Sequence, residues 1–233
     1  MKRIFFLIVC GFLIAISVRA QHTSDQIIAK HLLATGLAEA SVEIKNIFIE
    51  GDILKNKLKF PITVHAILPD KFRMDMMFNN LDFVKVSNGN DTWDYNPMND
   101  TLVETASKGK EALDFMYRWT GGLYNSVKGD YSAKLIGDTL IQDIQVFKLQ
   151  ITLEGETRVY YIDQLSYLII RIDDDLDQRK ITYYSDYRKT DKYTLPYSMV
   201  GYEGGIPAIS MQFKLVKLNT PIAETVFYKP VKD

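Results

Sequence analysis

The sequence predicts a mainly β protein: one large, curled antiparallel sheet with few helices. Three observations carry that expectation. Residues 58–97 alternate apolar and polar side chains through short runs separated by turn residues, the period of half-buried strands. The alternation returns between residues 133 and 218 at hairpin spacing. Only two stretches, near 23–37 and 107–120, change to the helical period.

The chain has 233 residues, and its start is set apart from the rest. Lys2 and Arg3 precede an apolar run from Ile4 to Val18, and Val18-Arg19-Ala20 fits a cleavage site. This reads as a secretory signal peptide over 1–20, with an apolar run short of the about 20 residues a spanning helix needs. Its Cys10 is the only cysteine, and Val9 stands where lipoprotein signals have a small residue. Cleavage therefore leaves no thiol for a disulfide, a nucleophile or a metal site. What remains, 21–233, contains no linker or low-complexity run and reads as a single domain. Without Lys2, Arg3 and Arg19 it holds 25 basic and 29 acidic residues, a formal charge of −4. That balance argues against a nucleic-acid partner.

Residues 23–37 read as the first helix, with Thr23 or Ser24 as cap, Gln26 completing a capping box and Gly36 ending it. Its His31 is expected at the surface. A strand follows over 44–54, with Gly51 marking a bulge or close approach. Then Leu58, Phe60, Ile62, Val64 and Ala66 share one face of a second strand, and Phe72, Met74, Met76 and Phe78 one face of a third. His65 lies opposite the apolar face of its strand and is expected exposed. Residues 82–86 run to the hairpin dipeptide Asn88-Gly89, and Trp93 and Tyr95 lie on the strand beyond it. A short strand near Leu102 precedes the change of period.

Ala112, Phe115, Met116 and Trp119 recur at helical spacing, so 107–120 is an amphipathic helix ended by Gly121-Gly122. Strands return over 133–140, 145–153, 158–162, 165–172, 181–188, 194–202 and 206–218, with Gly204-Gly205 a hairpin turn. The total is about ten or eleven strands and two helices. A sheet of that size curls. With too few helices to cover its apolar face, it leaves a groove for which the 115–119 helix is the natural lid.

Catalytic chemistry finds no foothold. The chain has no Gly-x-Ser-x-Gly, no phosphate-binding glycine loop, and three scattered histidines: His22, His31 and His65. No histidine pair offers zinc ligands. The acidic run at 173–177 lacks the glycine and the closing glutamate of an EF-hand and reads as a hairpin tip. Asn90-Asp91-Thr92 and Asn99-Asp100-Thr101 match a glycosylation pattern and read as turns. No enzymatic activity, cofactor or metal is expected. Pattern alone favours a core role for the methionine and aromatic positions, but methionine also serves adaptable binding surfaces.

The segment Val86-Ser87-Asn88-Gly89-Asn90-Asp91-Thr92-Trp93-Asp94-Tyr95-Asn96-Pro97 resembles a "V-S-D-G-x-x-x-W-x-Y-N-P" signature. That signature belongs to the LolA-like periplasmic carriers that sort outer-membrane lipoproteins. Leu68-Pro69-Asp70-Lys71-Phe72-Arg73 is similar to the turn preceding it, and His31–Gly36 and Tyr184–Arg188 look like the longer relatives of Bacteroidetes-type bacteria. The resemblance implies an incomplete, unclosed β-barrel with helices over its mouth, and a monomer in the periplasm. Such a carrier shields lipoprotein acyl chains or other lipid, between an inner-membrane release complex and an outer-membrane acceptor. The cavity is expected to be lined by Phe60, Val64, Met74, Met76, Phe78, Trp93, Tyr95, Phe115, Met116 and Trp119. Leu68 stands where the family has the arginine thought to hold the lid shut. A different class of function on the same fold, an envelope sensor or assembly module acting by protein contacts, remains open.

Overall fold

A computed structural model describes residues 22–39, 43–127, 131–153, 155–174 and 179–231. The expected signal peptide with Cys10, and residues 175–177 of the acidic run, lie outside the described residues. Thirteen strands form one sheet, all neighbours antiparallel. In chain order they are β1 (Asn46–Lys55), β2 (Leu58–Ile67), β3 (Lys71–Phe78), β4 (Leu81–Asn88), β5 (Asp91–Asn96), β6 (Thr101–Ala106) and β7 (Tyr131–Ile141). Then come β8 (Ile144–Leu153), β9 (Glu156–Asp163), β10 (Ile169–Asp173), β11 (Lys180–Thr190), β12 (Tyr193–Glu203) and β13 (Ile206–Leu218). β13 pairs with β1, which joins two meanders into one surface, and β6 and β7 are its unpaired ends. The sheet is an unclosed barrel.

Two helices lie against the concave face, α1 (Ser24–Thr35) and α2 (Glu111–Thr120). α1 begins where the local signals place it. The Thr23 side chain accepts from the Gln26 amide while the Gln26 side chain accepts from the Thr23 amide. Gly36 closes the helix at φ +72°, and a Cβ there would stand 2.9 Å from the Lys192 carbonyl oxygen. Thr23→Ala removes the acceptor for one otherwise orphaned amide and is expected to lower stability by about 1 kcal/mol, read as a shift in the urea midpoint.

Ile27, Ile28 and Leu32 of α1, and Ala112, Met116 and Trp119 of α2, enter one core with the concave residues of β1, β2, β8, β9 and β12. No described helix is long and apolar enough to cross a membrane.

The structure corrects several local expectations. The strand expected from 165 begins at Ile169, because Leu165 is 91% exposed in the turn before it. The described residues form thirteen strands rather than the expected total of about ten or eleven. His31 is 1% exposed on the inner side of α1, and His65 is half-buried, its ring 5.0 Å from that of Phe48. Tyr167, far along the chain, closes over His31, and the cross-strand neighbour Phe48 covers one side of His65.

Candidate functional site

Alternation along each strand stacks side chains into rows that run across the concave face. The outermost row, toward the open end, joins Met199, Met211, Ile53, Phe60, Phe78 and Leu81 from six successive strands. Met199 faces Met211, Met211 faces Ile53, and Ile53 faces Phe60. The rings of Phe60 and Phe78 are 5.2 Å apart, and Phe78 faces Leu81. The next row inward holds Phe213, Gly51, Ile62 and Met76. Gly51 sits at a break in register where β1 approaches β13, and a Cβ there would lie 2.5 Å from the Gln212 carbonyl oxygen. The third row holds Val64 and Met74, then turns polar at Lys85 and Asp94, whose ion pair spans 3.3 Å.

Burial grades along these rows. Val64, Met116 and Trp119 are fully buried among the helices. Phe60, Met74, Met76, Phe78, Phe115 and Met211 are half-buried, and Leu81 is 38% exposed. The deep part of the expected cavity is therefore packed core, and its outer part is a half-buried apolar lip.

The helix α2 closes the deep part and is fixed at both ends. Near its start the Leu113 amide donates to the Pro69 carbonyl at 3.0 Å, a backbone contact beside Leu68 where the family resemblance would place an arginine. Near its end the tyrosine hydroxyls of Tyr184 and Tyr160 donate to the carbonyls of Arg118 and Gly121, at 2.9 and 3.1 Å. Those carbonyls have no partner within the helix. Burial pushes both phenols above their ordinary value, so both remain donors. Trp119 donates to the Pro196 carbonyl at 2.8 Å, and Phe115 lies 5.4 Å from Phe72.

Beside α2 the concave face opens into a groove of about 770 Å³. One wall is apolar, with Met199, Gly201, Ile209 and Met211. The other carries Glu156, Arg158, Asp174 and Lys180, and the helix contributes Tyr117 and Arg118. The Arg158 guanidinium donates to Glu156 at 2.7 Å, faces Asp174 at 3.3 Å, and lies over the Tyr117 ring at 4.9 Å. Sequence reasoning did not single out this charged wall. The signal was present: Glu156 and Arg158 fall in phase with the inward-facing Tyr160 and Ile162, so alternation points both charges at the concavity.

Trp93 and Tyr95, expected among the cavity residues, belong to the opposite face. Trp93 faces Val86, which faces Arg73, whereas Met74 faces Lys85. Trp93 packs in a separate cluster with Val84, Val86 and Phe227 of the C-terminal segment, and Tyr95 joins its rim. The Trp93 Nε1–H donates to Glu104 at 2.8 Å, and Lys229 binds the same carboxylate from above the ring. The tail lays a second apolar layer on the convex side, so these aromatics are core of a different kind. The remaining eight candidates lie on the concave side or on the inner part of α2.

Solved structures with the same fold include a DUF1329 family protein from Desulfovibrio piger (16% identity, 87% of this chain and 97% of that chain, TM-score 0.55). A putative outer membrane lipoprotein-sorting protein domain from Vibrio parahaemolyticus matches at 15% identity over 86% and 97%, with TM-score 0.55. A LolA superfamily protein from Nitrosomonas europaea matches at 11% identity over 90% and 99%, with TM-score 0.53. No protein-family model and no curated protein matches the chain. The fold is LolA-like, and identities this low speak to the fold alone.

Proposed function

We propose that this chain carries acylated cargo through the periplasm, holding acyl chains along the outer concave row and the groove beside α2. The observation that carries the reading is the graded burial of that row. Six apolar side chains line up across six strands, and no described segment covers Phe60, Phe78 and Leu81 fully. The partly exposed Met211, Phe60, Phe78 and Leu81 of that row offer apolar surface to a ligand beside the buried Met199 and Ile53. A groove of about 770 Å³ falls in the range of small-molecule sites. Each methylene moved from water onto the row contributes about 0.8 kcal/mol, so hydrocarbon alone supplies affinity without catalysis or cofactor. After loss of 1–20, the chain works as a monomer between an inner-membrane release complex and an outer-membrane acceptor.

Native mass spectrometry of the chain purified without detergent tests this. The wild type is expected to carry or take up lipid. Phe60→Asp is expected to weaken uptake at least about tenfold, the equivalent of losing about two methylene contacts. Phe60 is half-buried at the lip, so the variant should fold, which circular dichroism checks. A folded variant that took up lipid as the wild type does would remove the row from the site.

One observation favours a second reading, an envelope module acting by protein contacts: the concavity beneath α2 is filled by Met116, Trp119 and Val64. That reading expects a clean apo mass and no uptake of added lipid.

A further inference from the structure

We propose that the cargo lipid bears an anionic, phosphate-containing headgroup, seated beside α2 in a cationic hollow that opens off the groove. This rests on the acyl-chain reading of the groove. The hollow measures about 550 Å³ and shares Tyr117, Arg118, Glu156 and Arg158 with the groove, so the two spaces meet across one wall. Lys108, Lys110, Arg118 and Arg158 line the hollow against Asp114 and Glu156, an excess of two positive charges in a chain whose formal net charge is −1.

Internal pairing accounts for only part of that charge. Lys110 meets Asp114 at 3.4 Å, and Arg158 meets both Glu156 and the groove's Asp174. The ammonium of Lys108 and the guanidinium of Arg118 form no ion pair or hydrogen bond with a described residue. Arg118 lines both spaces, which puts a planar five-donor fork at their junction. Such a fork suits a phosphate, which it can bind with two parallel hydrogen bonds.

From that junction the apolar route is continuous. The groove wall at Met199 and Met211 leads through Ile53 and Phe60 to Phe78. Four interstrand spacings of about 4.8 Å make this path about 19 Å long. One acyl chain fills half of a bilayer core of about 30 Å, or about 15 Å, so the row accommodates a chain whose headgroup rests at Arg118. The amide and ester linkages of an acylated protein are neutral and would leave the two cations without a counter-charge. Charge complementarity favours the anionic lipid.

The test compares two probes with the same single acyl chain, a lysophospholipid with a phosphoglycerol headgroup and a monoacylglycerol, titrated into the whole chain. The wild type is expected to bind the anionic probe about tenfold more tightly at low salt, equivalent to about 1.4 kcal/mol. The gap should narrow as ionic strength rises from about 0.01 to about 0.15 M, where the screening length shortens from about 30 to about 8 Å. In a Lys108→Gln/Arg118→Gln double variant, both positions being exposed, the anionic probe is expected to fall to the affinity of the monoacylglycerol. Equal binding of both probes by the wild type would overturn the headgroup assignment and leave the groove standing for neutral acylated cargo. A double variant that kept the preference would also overturn it, and binding of neither probe would overturn the groove reading itself.

Discussion

Trp119→Ala is expected to lower the unfolding free energy by about 4 kcal/mol, measured by urea titration of the chain from residue 21. The side chain is 1% exposed, its ring meets Phe213 edge-on at 5.8 Å and Phe115 at 6.1 Å, and its N–H binds the Pro196 carbonyl. Truncation opens a cavity in the largest core cluster and leaves that carbonyl unsatisfied in a buried place. The same change frees the helix that carries Tyr117 and Arg118, so the groove loses its shape along with the stability. Tyr184→Phe is the contrast, because it removes only the hydroxyl that donates to Arg118 and should cost about 1 kcal/mol. If Trp119→Ala cost no more than Tyr184→Phe, α2 would be a loosely held lid rather than part of the core.

Acidification from pH 7 to pH 4 is expected to remove about 3 kcal/mol of stability through His31 alone. Its Nδ1–H donates to the Tyr167 carbonyl at 2.8 Å, and its Nε2 is buried with no hydrogen-bond partner among the described residues. Burial pushes its pKa down from the ordinary 6.5 to about 4, against the opposing effect of the Tyr167 carbonyl. The folded value lies below the unfolded one, so the unfolded chain takes up the proton first as pH falls. Stability is full above about 6.5, declines through the interval and levels off below about 4, at about 1.36 kcal/mol for each pH unit between them. Glu43 and Glu104, held below the ordinary value by Lys192 and Lys229, weaken the fold in the same direction at lower pH. The measurement is therefore a difference: urea midpoints at pH 7 and pH 4 for the wild type and for His31→Asn, whose amide retains a donor near the Nδ1 position. The variant should lose about 3 kcal/mol less on acidification. Equal losses would mean that His31 is protonated without penalty in the folded state.

Elements whose causes are local were legible in the chain. Thr23, Gln26 and Gly36 specify α1 by capping within one turn at each end, and Gly51 marks the close approach of β1 to β13. Alternation placed Phe60, Met74, Met76 and Phe78 on one side of two strands, and the helical spacing of Ala112, Met116 and Trp119 placed them on one side of α2. Trp93 and Tyr95 escaped the same logic. Period two states that two residues share a face. In β5, however, the polar Asp94 takes the concave side and the C-terminal segment covers the apolar side, so turning the apolar residues inward points the wrong way.

Sequence by itself determined the fold class, the strand phase and the presence of one amphipathic covering helix, because these follow from periodicities of two and 3.6 residues and from turn chemistry. Only the tertiary structure decided what each face meets. Phe227 arrives from the far end of the chain to bury Trp93, Tyr167 crosses from the β9–β10 turn to enclose His31, and Arg158 turns inward beside Tyr117 to give the groove its charged wall. Those contacts join residues tens to more than a hundred positions apart, and burial is a property of the pair, which no local pattern contains.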